Sequence, residues 1–533
     1  MSDQCHGDLL HEACIGVANR ARTRERLTLT AVLARLSDPS TSTVAFTAVQ
    51  AHQAHAWHAF LVQLAAMVCQ RAGCDIADPR CSTDDWWRER LLALAEGCAE
   101  AWCLVVEDHS KPAFMQVPID GNGGEYKKII ATPRELDVVV TTKNHDAKTG
   151  RGLSDHWLFA LVTLQTQQGY LGVGNYGIFR MNGAAGNRFA VGFADPGELG
   201  AWFRRDVLAL TAKRAVTMDG GCFVEQGGLP LLWLLAWDGT SSACLSHNTL
   251  DPWCIEICRR LRFEQGPDGW FAKQAPSDAE RTLIAKARKS GAQQWVIKSG
   301  FADPWMAQAD AKAITPSDQG FTVDKTVEYL LDPATSVPPT QHLLAEDLGS
   351  DLHWYGRTLV RGQGKTNGWH ERLVPIPANV RQHWRDKPEA RGVAAERARS
   401  QLEDSAALRS KVLRPALLAL ITAGGRDAQQ GLAGFDQAVD AAFFAYLWDH
   451  LDDEKNAASR SWRRVIIAMA KSTLAAAQKT VPDNVRRWRA LADSTRRFDD
   501  GLKSNPSRSN SFAASLRENA PDHPVAPLPE PIH

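Results

Sequence analysis

The segment Arg361-Gly-Gln-Gly-Lys-Thr366 carries residue types found in phosphate-binding loops. Such a loop has the pattern G-x-x-x-x-G-K-[ST] between a strand and a helix, so that backbone N–H groups and the lysine surround the phosphates. Gly364-Lys365-Thr366 fits the end of the pattern, but Leu359 stands where the first glycine is required. The following residues, up to Pro375, show no helical pattern. A nucleotide-binding enzyme is therefore kept only as an alternative to an ordinary glycine-bearing loop.

Other catalytic patterns are missing from the sequence. It contains no H-E-x-x-H, no G-x-S-x-G and no nuclease-like cluster of acidic residues at metal-ligand spacing. The acidic run between Asp449 and Glu454 stands at the end of a predicted helix, where a solvated helix terminus explains it. His55 and His58 flank Trp57 on an apolar helical face, which is typical of structural histidines. We predict a chain that is not an enzyme, with no catalytic residues and no cofactor, and we assign no metal-binding residues.

Glycines recur at short intervals between Gly169 and Gly186. A loop of this composition can adopt positive φ angles or bring its backbone close to another molecule. Two interpretations stay open: a compact packing loop, which the local sequence favours, and a backbone that contacts phosphate or the floor of a DNA groove. In the second case Arg180, within the segment, and Arg188, just after it, would reach phosphates.

A second glycine-containing loop, from Val140 to Gly152, is polar and basic. It lies between a β-like run and a helical pattern. Lys143, Lys148 and Arg151 suit the backbone of RNA or DNA. An ordinary solvated loop explains the same residues equally well.

The charge balance limits the kinds of nucleic-acid binding to be expected. Lysine plus arginine and aspartate plus glutamate number 61 each, so the chain is formally neutral. A protein that binds nucleic acid through charge alone normally has a basic excess. Neutrality argues against such binding by the isolated chain, but it is compatible with a local basic strip or with partner subunits that carry most of the positive charge.

The cysteines and the N-terminal region point to a reducing compartment. Eleven cysteines are scattered along the chain, and no segment has the basic start, apolar stretch and cleavage site of a secretory signal. We therefore predict a cytoplasmic protein. Cys254 and Cys258 stand at helical spacing; buried thiols acting as small apolar groups are the favoured interpretation, and a zinc site stays open.

The first part of the chain mixes helical and β-like patterns. Helical periodicity is found at Ala54–Arg71, Asp155–Gln167 and Leu199–Lys213, whereas Trp102–Val106, Leu136–Thr141 and Phe189–Phe193 are β-like. Most glycines and prolines also fall in this part. The predicted fold class is α+β, with a large mixed α/β N-terminal body at residues 1–378.

Amphipathic helices follow after about residue 380. They are predicted at 389–421, 436–451, 459–479 and 484–502, and in the last one Val485, Trp488, Leu491, Phe498 and Leu502 form the apolar stripe. Four such helices with short linkers predict a C-terminal four-helix bundle, at residues 379–504. The Ser- and Pro-rich residues 505–533 are predicted to be a disordered tail.

Several segments, in this order, resemble a known family. They are His55–Leu64, Lys111–Gln116, Lys143–Asp146, Gly172–Gly177, Asp303–Trp305 and Gly362–Arg372, and a helical bundle follows them. This succession is similar to the CasA-type large subunit of type I-E CRISPR Cascade complexes. Many members open with an apolar Pro-Trp-Ile-Pro-like segment, where this chain has Met1-Ser-Asp-Gln-Cys5. That departure indicates a divergent branch.

The resemblance implies a subunit that inspects double-stranded DNA for a protospacer-adjacent motif (PAM). Guide RNA (crRNA), held by other Cascade subunits, then supplies specificity by base pairing, as in other RNA-guided effectors. In this family a glycine loop, a lysine and a wedge-bearing hairpin meet the PAM from the minor groove and help to start the R-loop. The cutting is done by a helicase–nuclease or by a nuclease fused to a subunit.

The family's roles carry over to residues of this chain as expectations. Gly172, Gly174, Asn175, Gly177 and Arg180 would contact the PAM, with Gln341 as the wedge and Lys286 and Lys289 as candidates for the lysine. Lys143, Asn144, His145 and Lys148 would contact guide RNA or a neighbouring subunit. Arg486, Arg487 and Arg489 would hold the displaced non-target strand, or are ordinary solvated arginines. A purely structural subunit that clamps RNA without reading DNA stays open as an alternative.

Overall fold

The computed structural model of the chain describes most residues between Cys5 and Lys503. The described ranges are 5–19, 21–41, 45–119, 121, 123–138, 152–167, 174–175, 189–218, 223–240, 245–279, 303–309, 312–313, 317–349, 351–362, 365–387, 389–453 and 455–503. The chain divides into two compact units, residues 1–321 with 332–386, and residues 322–331 with 387–533. The predicted α+β fold class is confirmed. The predicted domain limits, 1–378, 379–504 and 505–533, stay predictions.

The first unit combines short strands with helices of very different lengths. Its strands are β1 Cys5–Asp8, β2 Ile15–Ala18, β3 Arg24–Leu27, β4 Ala45–Phe46, β5 Cys103–Val106, β6 Lys128–Ile130, β7 Phe189–Ala194, β8 Leu229–Leu231, β9 Leu250–Ile255, β10 Arg260–Gly266, β11 Gly269–Ala275, β12 Gln308–Ala309, β13 Lys312–Ala313, β14 Thr335–Ser336, β15 His353–Gly362 and β16 Lys365–Pro375. Its helices are α1 Leu29–Ser37, α2 Ala51–Ala72, α3 Asp84–Leu94, α4 Pro133–Leu136, α5 Ser154–Gln167 and α6 Leu199–Met218, with α8 Ala378–Asp386 near its end.

The strands form small sheets rather than one large one. Three-stranded sheets have the orders β3-β2-β4, β10-β11-β6, β13-β12-β14 and β16-β15-β7, and β1-β5 and β8-β9 are pairs. Apart from the parallel β8-β9 pair, neighbouring strands are antiparallel. Two of these sheets, β10-β11-β6 and β16-β15-β7, position the candidate site.

Helix α2 is the centre of the first unit. Its start is defined by Gln53, whose side chain accepts a hydrogen bond from the Gln50 N–H at 3.0 Å. Its end is defined by Gly73, which takes the left-handed conformation that favours glycine, with φ +61°. Between these residues nearly every side chain is buried, and Trp57 stacks on Phe60 with ring centroids 5.3 Å apart. A helix that is apolar on all sides belongs inside a core.

The second unit is helical. Its helices are α7 Val323–Leu331, α9 Ala390–Ala407, α10 Arg414–Ile421, α11 Ala428–Asp449, α12 Lys455–Lys479 and α13 Arg487–Lys503. A π-helical segment, Leu408–Leu413, joins α9 to α10 just before Arg414-Pro415. Because proline has no N–H to donate, a regular α-helix cannot continue through it undisturbed. Counting α9 and α10 as one interrupted helix, the four predicted bundle helices are confirmed.

Trp462 lies at the centre of this bundle. It is fully buried on α12, and its Nε1–H donates to the carbonyl oxygen of Gln401 on α9 at 3.0 Å. The guanidinium of the next residue, Arg463, donates two hydrogen bonds to the carboxylate of Asp404, at 2.8 and 3.0 Å. Trp462, Ile466 and Leu474 are all buried, so this face of the helix predicted at 459–479 packs inside the bundle.

The predicted elements of the first unit agree with the structure in most places. The helices expected at 54–71, 155–167 and 199–213 are α2, α5 and α6, and the runs at 102–106 and 189–193 are β5 and β7. The β-like run at 136–141 was wrong at its start, because Pro133–Leu136 forms a short helix capped by Thr132. Cys254 lies in strand β9, so its spacing to Cys258 is not that of a helical face.

None of the described helices combines the length and the apolar character needed to cross a lipid bilayer.

Candidate nucleic-acid interface

Two residues of the glycine segment are described, and they are attached to the end of strand β11. The carbonyl oxygen of Gly174 accepts a hydrogen bond from the Ser277 N–H at 2.8 Å. Asn175 forms an isolated parallel β-bridge with the same serine. Both residues are half-buried. The sheet β10-β11-β6 therefore holds this part of the glycine segment in a defined place.

Gly174 needs to be a glycine for two reasons. Its φ angle is +77°, in the left-handed region where a side chain is strained. A Cβ atom at this position would also lie 3.2 Å from the Cβ of Pro276, closer than an ordinary contact. The backbone of Gly174 therefore packs against Pro276 and Ser277, which directly follow β11, and a side chain at this position would disturb that contact.

Asn175 is linked through one side chain to Lys128, which is not among the site residues predicted from the sequence. The Gln274 amide donates to Oδ1 of Asn175 at 3.2 Å, and Lys128 Nζ donates to Oε1 of Gln274 at 3.2 Å. Gln274 and Lys128 are paired in the β11–β6 register. Lys128 is exposed, so it adds a positive charge beside the glycine segment. The exposed Lys127-Lys128 pair after a glycine-rich stretch was the signal that could have revealed it.

The residues after Ser277 are held by a neighbouring turn. The carbonyl oxygen of Gly239 accepts from the N–H groups of Asp278 and Ala279, at 2.8 and 3.0 Å. Arg260 donates to the carbonyl oxygen of Pro276 at 2.9 Å, lies over the Tyr126 ring and is paired with Glu125. Because the charge of Arg260 is compensated by Glu125, its role here is to position the backbone.

Most of the site residues expected from the sequence lie outside the described residues. They are Gly172, Gly177, Arg180, Lys143, Asn144, His145, Lys148, Lys286 and Lys289. Their assignments stay predictions.

The position of Gln341 argues against its expected role as a wedge. It ends the short 3-10 helix Pro339–Gln341, and only 1% of its surface is exposed. The neighbouring Thr340 hydroxyl donates to the carbonyl oxygens of Pro304 at 2.7 Å and Val191 at 3.1 Å, which fixes this turn inside the body. A side chain enclosed in this way is poorly placed to insert between base pairs. The assignment of Gln341 as the wedge stays a prediction.

A hairpin lies instead at the Gly362–Arg372 motif itself. Strands β15 and β16 pair antiparallel from His353↔Pro375 to Gly362↔Lys365, with a register shift at Val360/Arg361. Among the described residues, β7 pairs with β15 from His353↔Ala194 to Thr358↔Phe189, and Phe189 is the first residue of β7 that the structure describes. Gln341 was predicted as the wedge because its turn lies upstream of this motif, roughly where the resembled family keeps its wedge.

The same hairpin contradicts the phosphate-binding alternative. A phosphate-binding loop is followed by a helix, whose N-terminal N–H groups take part in holding the phosphates. Lys365 is the first residue of strand β16, and Thr366 is already paired with Arg361. Lys365 and Thr366 therefore lie at the start of a strand, where a phosphate-binding loop requires the start of a helix.

Helix α13 presents an aromatic side chain among arginines. Trp488 is 78% exposed, and Val485 in the preceding turn is completely exposed. The expected apolar stripe is thus wrong for these two residues; the buried face consists of Ala490, Ser494, Phe498 and Leu502. Arg486 and Arg489 are exposed, and Arg487 lies 3.7 Å from Asp483. Trp488 was assigned to the apolar stripe because it stands three residues from both Val485 and Leu491, which is a helical spacing.

A buried carboxylate joins two of the segments that carry the family resemblance. Asp206 on α6 is fully buried, and its Oδ2 lies 2.9 Å from His58 Nε2. The indole N–H groups of Trp202 and Trp305 donate to the same oxygen at 3.1 and 3.3 Å. This network places His58 and the Asp303-Pro-Trp305 segment in the core. His58 is therefore a structural histidine, as its position on an apolar helical face predicted.

Comparison with solved structures identifies the class of fold. Neither a scan against protein-family models nor a search of curated proteins finds a match. Thermus thermophilus CasA (Cse1) superposes with a TM-score of 0.59 at 14% identity, over 93% of this chain and 99% of that chain. A second crystal structure of Thermus thermophilus CasA gives 0.60 at 16% identity, with the same coverage. Cse1 from Acidimicrobium ferrooxidans gives 0.56 at 12% identity, over 94% and 98%.

The chain therefore has the CasA (Cse1) fold along nearly its whole length. At these identities the likeness concerns the fold. It confirms the resemblance to CasA-type subunits that the order of the sequence segments indicated.

Proposed function

We propose that this chain is the large, CasA-type subunit of a type I-E CRISPR Cascade complex and that it acts in the cytoplasm without catalysing a reaction. The observation that carries the proposal is the CasA fold over 93% of the chain, with both compact units included. Its partners would be crRNA, double-stranded target DNA, the other Cascade subunits, and a helicase–nuclease or a nuclease fused to another subunit.

Within this complex, the glycine segment would read the PAM from the minor groove. The minor groove presents a degenerate pattern of hydrogen-bonding groups, so a backbone can contact it without a matching side chain. The positive φ of Gly174 and its hydrogen bond to Ser277 support this role, because they present side-chain-free backbone from a rigid sheet. Gly172, Asn175, Gly177 and Arg180 would complete the contact, with Lys128 near Asn175 reaching a phosphate.

The wedge that starts strand separation belongs, on this proposal, to the hairpin β15–β16. Gln363 and Gly364 connect Gly362 to Lys365 in the sequence. An inserted side chain between base steps unstacks them and kinks the duplex. The paired strands β15 and β16 would support a side chain that inserts into the duplex. The turn at Gln341 is buried and offers no such support.

The remaining assignments follow the same division of labour. The loop with Lys143, Asn144, His145 and Lys148 would contact crRNA or a neighbouring subunit, and Lys286 and Lys289 are candidates for a second PAM contact. On α13, the exposed Trp488 beside Arg486 and Arg489 offers both a stacking surface and positive charge for the displaced non-target strand. The arrangement would present a bound, opened target to the nuclease.

The proposal is tested by replacing Gly174→Val in the assembled complex. A valine at φ +77° and against Pro276 would displace the backbone from its position on Ser277. We expect normal assembly with crRNA and the other subunits by gel filtration, but loss of the difference in affinity between PAM-containing and PAM-lacking duplexes. Gly97→Val is the matched control, because Gly97 also has a positive φ, +83°, but no atom lies near its Cβ position.

Two outcomes would count against PAM reading. If Gly174→Val retains the PAM-dependent difference, the glycine segment does not read the duplex. If Gly174→Val prevents assembly while Gly97→Val assembles, the alternative of a structural, RNA-clamping subunit gains.

A further inference from the structure

Three cysteines that play no part in the proposed function are brought together at the end of helix α2. The Sγ atoms of Cys69, Cys74 and Cys81 all lie within 4.8 Å of one another. Cys69 and Cys81 are buried, whereas Cys74 is half-buried at the edge of the cluster. Buried thiols that merely fill space have no need to converge on one point, so the convergence itself calls for an explanation.

The backbone around the cluster is organised by its own hydrogen bonds. After the left-handed Gly73, the Cys74 N–H donates to the carbonyl oxygen of Cys69 at 3.1 Å, which turns the chain back under α2. Asp78 then caps a short 3-10 helix by accepting from the Arg80 N–H at 2.9 Å, and the Cys81 N–H donates to the Asp78 carbonyl oxygen at 2.8 Å. One sulfur atom, that of Cys69, thus stands on helix α2, and the sulfur atoms of Cys74 and Cys81 stand on the hydrogen-bonded segment that follows it.

The spacing and the distances match the requirements of a thiolate-bound metal. Structural zinc sites commonly have ligand pairs separated by two to four residues, and Cys69 and Cys74 are separated by four. Sulfur atoms about 2.3 Å from a tetrahedral zinc ion stand about 3.8 Å apart, so each sulfur would move inward by less than about 1 Å. We propose that Cys69, Cys74 and Cys81 bind one zinc ion as thiolates.

The fourth coordination position would be filled by water on the side of Cys74. Among the residues that the structure describes, no other histidine, cysteine or carboxylate joins the three sulfur atoms. The nearby Asp78 carboxylate is already engaged by Arg80, with its Nη2 at 2.7 Å. Binding converts three thiols to thiolates and releases three protons, and the resulting Zn(Cys)3 centre carries one negative charge beside the exposed Arg80.

The metal would connect two helices of the core. Cys69 belongs to α2, and the carbonyl oxygen of Cys81 accepts from the indole N–H of Trp87 on α3 at 2.6 Å. Because a ligand that binds only the folded chain stabilises it, removal of zinc should loosen the junction between α2 and α3. This role is independent of DNA or RNA binding.

The test is a metal analysis of the full-length chain, purified without chelators and loaded with Zn²⁺. We expect about one zinc per chain by mass spectrometry of the metal content, and a ratio close to zero for Cys74→Ser, whose half-exposed position should leave the fold intact. Cys98→Ser is the matched control, since Cys98 is also a half-buried free thiol and lies next to Glu100. Loading with Co²⁺ should produce the absorption bands of tetrahedral cobalt–thiolate coordination in the parent and in Cys98→Ser only.

Three results would overturn the proposal. The first is a parent chain that takes up no Zn²⁺ or Co²⁺ while all three thiols react with a thiol reagent after unfolding. The second is a disulfide between any two of them in freshly purified protein, detected by peptide mass spectrometry. The third is zinc content that Cys74→Ser and Cys81→Ser both leave unchanged.

Discussion

His58 Nε2 lies 2.9 Å from Oδ2 of Asp206 in the interior of the first unit. The imidazole is also stacked on Trp202, with ring centroids 4.1 Å apart. Trp202 and Trp305 donate to the same carboxylate, and Arg205 Nη1 donates to its other oxygen at 3.1 Å. The buried carboxylate of Asp206 therefore joins α2, α6 and the Asp303-Pro-Trp305 segment. Two of the segments that resemble the CasA family thus pack together in the core of the first unit.

Replacing Asp206→Ala should destabilise the first unit strongly. Removal of the Asp206 carboxylate leaves the buried donors of Trp202, Trp305 and Arg205 without this acceptor. Removing one partner of a buried ion pair typically lowers the free energy of unfolding by about 3–5 kcal/mol. We expect a lower midpoint of urea unfolding, followed by tryptophan fluorescence. Asp85→Asn is the control, because its carboxylate is 94% exposed and its pairing with Arg88 should contribute less than about 1 kcal/mol. Equal midpoints for the two variants would show that the network contributes little.

Replacing Lys128→Ala should weaken target binding without changing PAM preference. Lys128 reaches Asn175 through Gln274, and a lysine that contacts a phosphate releases a counterion. We expect the slope of log affinity against log salt concentration to fall by about 0.9 in magnitude. Lys111→Ala serves as control, because Lys111 is paired with Glu100. An unchanged slope for Lys128→Ala would place this lysine away from the DNA.

Replacing Trp488→Ala should reduce the stability of the opened target. Stacking of one base on an aromatic side chain contributes about 1–3 kcal/mol, so binding of the displaced strand should weaken roughly 5- to 150-fold. The measurement is the affinity of the assembled complex for a DNA bubble that exposes the non-target strand. Val485→Ser is the matched control, since Val485 is also an exposed apolar side chain, three residues before Trp488, but has no ring. If both variants behave like the parent, α13 does not contact the strand.

Replacing Gln363→Ala should slow R-loop formation while leaving initial PAM binding intact. The hairpin β15–β16 joins its two strands through Gln363 and Gly364, and an alanine there removes the side chain that would enter the duplex. The rate of R-loop formation on permanganate-sensitive thymines measures the effect. A pre-opened duplex should restore the parent rate, and the absence of such rescue would assign the residue another role.

Purified chain should bind neither ATP nor GTP, and Lys365→Ala should make no difference. Lys365 begins a strand, so the backbone N–H groups of a helix start are not available next to it. Equilibrium dialysis with labelled nucleotide is sufficient to check this. Tight binding that depends on Lys365 would revive the nucleotide-binding alternative.

Much of the architecture follows from the sequence because it depends on short-range rules. The period of apolar residues predicts α2 and the bundle helices, and a Pro or Gly marks several ends, as Gly73 does for α2. The α+β class and the order of the segments that resemble the CasA family were also evident from the sequence. A resemblance built on that order, at 12–16% identity to the solved structures, was enough to predict the fold.

The tertiary structure alone decided which of these residues are accessible and what they contact. Gln341 was predicted to reach DNA, yet it is buried; Trp488 was predicted to lie in an apolar stripe, yet it is exposed. Burial depends on packing partners that are distant in the sequence. Gly174 meets Ser277 from a remote part of the chain, and Cys69 and Cys81 converge only because the chain turns at Gly73. The spacing of apolar residues in the sequence predicts a helix or strand and its apolar face. Which other part of the chain packs on that face is decided only when the chain folds.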